Sequence, residues 1–132
     1  MERVFDLRWR VLRAPWNQPR GSEQDSLENT SRHIVAVTLE GDFWGVGRVH
    51  WNSPEEAQIR YMAVEPLHGG KGIGSRILQA LETFARESGA LRIVLNARET
   101  AVPFYCKWAY NDIAEAATLF GCLAHRRMEK PL

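Results

Sequence analysis

Residues 58–75 read Gln58-Ile59-Arg60-Tyr61-Met62-Ala63-Val64-Glu65-Pro66-Leu67-His68-Gly69-Gly70-Lys71-Gly72-Ile73-Gly74-Ser75, and this stretch decides the fold. Gln58 to Val64 reads as a strand, and Pro66 stops it because a proline nitrogen has no hydrogen to give a β-ladder. Downstream of the glycines, Ile77, Leu78, Leu81, Phe84 and Ala85 fall on one face of a helix, and Gly89 is placed to cap its C-terminus. Leu91 to Ala97 is a nearly continuous apolar run, the pattern of a strand buried on both faces. Strand, helix and strand in this order predict a parallel unit with a right-handed crossover.

Working outward, His33 to Leu39 and Phe43 to His50 flank the turn Glu40-Gly41-Asp42 and read as a β-hairpin. Phe5, Trp9 and Leu12 recur at helical spacing, with Val11 and Trp16 adding apolar surface, and Pro15 ends that helix. Arg13 to Arg32 is polar and reads as a long loop, a length that in a small domain points to function or disorder. A short helix is expected near Val102, with Pro103 in its first turn, where a missing N–H costs least. Closing strands are expected over residues 112–116 and 123–129. The fold class is therefore α+β: a mixed, mostly antiparallel sheet with a central parallel strand-helix-strand unit and helices on both faces.

The 132 residues predict one domain spanning 1–132. A formal net charge of +1 gives no sequence-independent attraction to nucleic acid or to an anionic membrane. The first residues lack an apolar signal core and no run approaches a membrane span, so a cytoplasmic protein is expected. Cys106 and Cys122 form no close-spaced ligand motif, and His33, His50, His68 and His125 lack paired spacing; no metal and no structural disulfide are expected.

Three glycines in alternate positions let the backbone curl so that several N–H groups converge just before a helix N-terminus. The helix dipole adds about half a positive charge there, which suits a phosphate or pyrophosphate, and Lys71 stands beside it. A P-loop requires Lys and then Ser or Thr after its last glycine, whereas Gly74 is followed by Ser75-Arg76. The dinucleotide fingerprint requires a third glycine where Ile77 stands.

Neither phosphate motif fits. Tyr61 to Pro66 together with Gly70-Lys71-Gly72-Ile73-Gly74-Ser75 closely resembles the cofactor motif of the GNAT superfamily of N-acetyltransferases. Leu95-Asn96-Ala97-Arg98 followed by Ala101-Val102-Pro103-Phe104-Tyr105 resembles its next motif, a strand ending in Asn and then a helix carrying a Tyr. Gly121 to Met128 resembles the closing strand of a small single-domain subgroup. The resemblance spans about residues 58–129. Two positions depart from it: Gly69 stands where the family usually has Arg or Gln, and Ala109 where it commonly has Gly, which leaves a left-handed turn there open to alteration.

The resemblance implies transfer of an acetyl group from acetyl-CoA to an amine by direct attack in a ternary complex, with a non-catalytic acyl-CoA sensor as the alternative. It implies cofactor binding by Met62, Ala63 and Val64 on the strand, by Gly69, Gly70, Lys71, Gly72, Ile73, Gly74 and Ser75 in the loop, and by Asn96. In the family the two central parallel strands splay apart and the pantetheine arm bonds to the freed backbone, here at Met62 and Val64. Tyr105 matches the position near the thioester sulfur and is the candidate acid; the competing reading is a core aromatic between Phe104 and Trp108. Asn96 holds cofactor or acceptor, or caps a turn. His125 carries a catalytic or acceptor role by subgroup resemblance, or is an ordinary strand histidine. Glu99 is a neighbouring carboxylate better read as solvated, and no base is named. Trp16, Trp44, Trp51 and Tyr61 are candidates for an acceptor pocket or for the core, and the Arg13–Arg32 loop is the expected specificity element. The acceptor is a small amine or a protein or peptide amine, and exposed sheet edges leave a homodimer open.

Overall fold

A computed structural model describes residues 1–132. Helix α1 (Glu2–Leu12) leads to the hairpin of β1 (Arg32–Val37) and β2 (Phe43–Trp51), and then to β3 (Glu56–Val64). Helix α2 (Ile73–Glu87), β4 (Arg92–Arg98), helix α3 (Val102–Lys107), β5 (Asn111–Glu115) and β6 (His125–Pro131) complete the chain. The strands form one six-stranded sheet in the order β1-β2-β3-β4-β6-β5. Only β3 and β4 run parallel, as the strand-helix-strand reading requires.

Helix α2 lies on one face. Its Ile77, Leu78, Leu81 and Ala85 are buried against Val49, Ile59, Ile93 and Leu95, each large side chain contributing about 1.5–3 kcal/mol relative to exposure. The helix comes so close to β2 that a Cβ on Gly47 would stand 2.8 Å from Ile77 Cγ2 and 2.6 Å from Met62 Sδ. Any side chain there would push the layers apart. Gly89, at φ +92°, follows the helix end as the sequence predicts. Helix α1 covers the other face through a smaller cluster of Val4, Leu7, Val46 and Ala63.

A bulge in β3 makes two faces out of one alternation. Val46 pairs with Ala63 and Arg48 with Arg60, so Tyr61 and Met62 together oppose Gly47. Tyr61 takes φ +59° to accommodate the extra residue. Ala57 and Ile59 face α2; beyond the bulge Met62 and Val64 do so, while Tyr61 turns toward α1 and lies under Arg8 at 4.4 Å.

Three sequence expectations are corrected. The strand does not end at Asn96: β4 runs on to Arg98, with Asn96 paired to Arg127, so Asn96 caps no turn. The left-handed turn after α3 is kept despite the Cβ, with Ala109 at φ +70°. Trp51 packs edge-on against Phe84 over the core, with centroids 5.8 Å apart, and takes no part in the cavity between β3 and β4.

Candidate functional site

The parallel pair β3–β4 is paired only from Glu56↔Arg92 to Ile59↔Leu95. Past the bulge, β3 follows its antiparallel partner β2 as far as Val64, and β4 follows β6 as far as Arg98. The two strands therefore part, and a cavity of about 700 Å³ opens through the sheet. Its walls include Met62, Ala63 and Val64 from β3, Asn96 and Arg98 from β4, Tyr105 from α3 and His125 from β6. The edge of β3 from Arg60 onward has no strand partner on the β4 side, which leaves backbone groups free to bond an extended ligand.

Following β3, the glycine loop runs into α2. Gly70 and Gly72 take φ +79° and +78°, a region L-residues avoid. A Cβ at either would meet nothing within 4 Å, so their role is conformational and the space above them is open. The N–H groups from Gly70 to Ser75 are donated to nothing within the chain, and the first returning bond is from Arg76 N–H to the Gly72 carbonyl, at 3.1 Å. Six donors at a helix start form the anion cradle expected of the sequence. Gly69 is extended, at φ −60° and ψ 149°, and contributes no side chain. Lys71 Nζ sits 3.0 Å from His68 Nδ1, and His68 stacks on Trp44 at 3.8 Å. Ser75 accepts a hydrogen bond from Trp108 Nε1 at 3.1 Å, so its hydroxyl ties α3 to α2.

Tyr105 lies 7% exposed on the wall of the gap. Burial raises its hydroxyl to about 12, with Arg98 opposing the shift, so the group is protonated throughout the physiological range. His125 Nδ1 is 2.9 Å from the Leu123 carbonyl oxygen. A carbonyl can only accept, so Nδ1 carries a hydrogen, which leaves Nε2 as the nitrogen open to proton exchange.

On the α1 side lies a charge network that sequence reasoning missed. Arg48, with no exposed side-chain surface, grips Asp25 through two bonds of 2.7 and 2.9 Å and approaches Glu28 at 3.2 Å. Arg8 bonds both oxygens of Glu28 at 3.0 Å. His33 Nδ1 lies 3.2 Å from Arg8 Nη2. Arg60 adds a 2.9 Å contact to Asp25. The hydrogen bond from Arg48 holds the Asp25 carboxyl far below the usual carboxylate range. His50 receives Arg48 Nη2 on Nδ1 at 3.0 Å, and burial, reinforced by that guanidinium, keeps its ring neutral. The sequence signal was slight: Val46, Arg48 and His50 alternate onto one face, opposite a loop holding Glu23, Asp25 and Glu28.

The sequence-predicted residues thus come together unequally. Met62, Ala63, Val64, Asn96, Tyr105 and His125 share the gap, with the glycine loop at the end of β3. Of the four aromatic candidates only Tyr61 lines the cavity; Trp16 stacks beside it on Arg98 at 4.4 Å, and Trp44, on β2, stacks on His68 at the start of the glycine loop. Glu99 is exposed and outside it.

The pattern that defines the Acetyltransferase (GNAT) family matches residues 1–110. The uncharacterized N-acetyltransferase YjcF of Bacillus subtilis (strain 168) is 34% identical over 128 residues, covering 96% of this chain and 89% of that protein. In fold, the chain is similar to a putative N-acetyltransferase from Lactobacillus plantarum, with TM-score 0.88 and 18% identity over 99% of this chain and 90% of that one. It is also similar to an aminoglycoside 6'-N-acetyltransferase complexed with coenzyme A, with TM-score 0.80 and 16% identity over 98% and 89%. The chain belongs to the GNAT family of acetyltransferases.

Proposed function

We propose that residues 1–132 act as a single catalytic domain that transfers the acetyl group of acetyl-CoA to an amine within one ternary complex. The observation that carries the reading is the parting of β3 and β4 after Ile59 and Leu95, with six free amide donors at one end and Tyr105 on the wall. The Gly70–Ser75 cradle suits the pyrophosphate, and the open edge at Met62 and Val64 suits the pantetheine amides.

Membership in the family and the lining of the cavity support the following roles for this chain's side chains. The amine nitrogen attacks the thioester carbonyl, a C–N bond forms and the C–S bond breaks. His125 Nε2, when the ring is neutral, takes the ammonium proton, and the Tyr105 hydroxyl gives one to the departing sulfur. A backbone N–H of the freed β3 edge stabilises the oxyanion. The second reading, an acyl-CoA sensor, predicts binding without turnover. Calorimetric titration with acetyl-CoA, with ATP as control, followed by an assay of thiol release with an amine panel separates them. Selective acetyl-CoA binding with amine-dependent release supports the enzyme; binding without release supports the sensor; equal affinity for ATP removes both.

A further inference from the structure

Among the residues lining the cavity are three arginines (Arg13, Arg60, Arg98) and two histidines, and there is neither an aspartate nor a glutamate. In a chain whose cations and carboxylates nearly balance, 17 against 16, such a segregation has a local cause. Arg60 contacts Asp25, which it shares with Arg48. Arg13 and Arg98 are different. Arg13 is 8% exposed and donates to the Ser22 and Leu12 carbonyls, at 3.0 Å each, not to a carboxylate. Around it stand the neutral Tyr61, its ring 5.8 Å away, the cationic Arg60 and, least, Glu23; Glu23 accepts from Gly21 N–H and Gln24 Nε2. Arg98 is half-buried, with the cationic Arg13 and the neutral Tyr105 hydroxyl beside it and no ion pair to a carboxylate. Trp16 and Phe120 flank the pair, lying 4.4 Å from Arg98 and 5.3 Å from Arg13.

Two partly desolvated guanidinium groups that repel each other are unfavourable unless an anion joins them. The phosphates of acetyl-CoA do not meet this need under the reading proposed above, because they belong to the glycine loop at the start of α2, which packs on the other face of the sheet. We propose that the acceptor is a small amine carrying its own oxyanion, a carboxylate or a phosphate, which Arg13 and Arg98 bind together on the α1 side of the gap. A planar guanidinium pairs with either group through two parallel bonds. The same cations disfavour a second positive charge and so help the attacking ammonium to lose its proton. A polycation such as an aminoglycoside or a polyamine meets repulsion with no carboxylate to offset it.

The inference rests on the acetyltransferase reading and can fail alone. The test measures kcat/KM for amino acids against their amides, for phosphoethanolamine against ethanolamine, and for spermidine and kanamycin, with calorimetry of acetyl-CoA on the same protein. The account expects at least one anionic amine to exceed its neutral partner about tenfold or more, with the carboxylate and phosphate arms identifying the anion. Arg98→Gln should raise KM for that amine about tenfold to a hundredfold and leave the acetyl-CoA affinity within about twofold; Arg98→Lys should recover part of it. Turnover of spermidine, kanamycin or the neutral partners at rates equal to the anionic amines, no turnover of any anionic amine, or an Arg98→Gln variant with unchanged preference would each overturn the proposal. Loss of acetyl-CoA binding in the unmodified protein would instead remove the reading beneath it.

Discussion

The two loops that flank the gap are held in opposite ways. The loop from His68 to Ser75 is shaped by backbone torsion, with Gly70 and Gly72 at positive φ, and it leaves six N–H groups unspent. The segment from Arg13 to Ser31 has no strand and only two short 3-10 turns, at Ala14–Trp16 and Glu28–Thr30, yet its Asp25 and Glu28 carboxylates are tied to buried arginines of α1 and β2. A loop built on torsion stays open to bind; one built on ion pairs is a fixed wall. The first advertises itself in sequence, and the second does not.

The largest effect should come from breaking the second loop. Arg48→Ala leaves Asp25 and Glu28 facing each other around a vacated site, at a cost of about 3–5 kcal/mol by urea denaturation. The Gly70–Ser75 cradle should stay intact when the variant folds, so acetyl-CoA affinity should fall far less than acceptor KM rises. The pH dependence has a definite sign. Asp25 has a folded pKa far below its unfolded value of about 3.9, so its pairing stabilises the protein above that pH and is lost as the pH falls below it. Arg48→Ala should flatten that acid-side slope, the remainder being held by Leu27 N–H and Arg60.

Next in size is Tyr105→Phe, which should lower kcat about a hundredfold or more with acetyl-CoA affinity unchanged, because the ring keeps its packing against Phe104 and Tyr110. Unchanged kcat would return Tyr105 to the core and remove it from the chemistry. Its folded pKa of about 12 also lies above the unfolded value of about 10. It therefore contributes stability that is present below pH 10 and lost between about 10 and 12, a loss Tyr105→Phe should abolish in alkaline melts.

Smaller still is Gly72→Ala, which places a Cβ at φ +78° without a clash. The torsional cost of about 1–2 kcal/mol should appear as weaker acetyl-CoA binding more than as lower stability, since the strain is relieved by distorting the cradle. The smallest effect runs the other way. Ala109→Gly relieves a positive φ of 70° and should stabilise the fold by about 1 kcal/mol, read as a higher Tm.

What the sequence disclosed follows the range of the forces involved. The strand, the proline stop, the glycine turn and the amphipathic face of α2 are local and were legible over residues 58–97, including the parallel pairing. The bulge at Tyr61 was not, because one extra residue in a ladder is defined only by its partner on β2. Asn96 misled for a similar reason: where β4 ends is set by its pairing with β6, which carries it on to Arg98. The Arg48–Asp25 pair spans 23 positions and the Arg8–His33 contact 25, so neither has a spacing signature. Arg98 lay within a quoted motif, but its lack of a carboxylate partner is a property of the folded cavity alone.

The central claim, that acetyl-CoA lies along the parted edge of β3 with its pyrophosphate on the α2 N-terminus, is tested most directly by an amide chemical-shift titration of isotope-labelled protein with acetyl-CoA. The account predicts saturable shifts concentrated at the N–H groups of Gly70 to Ser75 and of Met62 and Val64, with Asn52, Ser53 and Glu55, in the turn at the opposite end of β3, unmoved. Saturation with shifts centred elsewhere, or no shifts at millimolar acetyl-CoA, would contradict it.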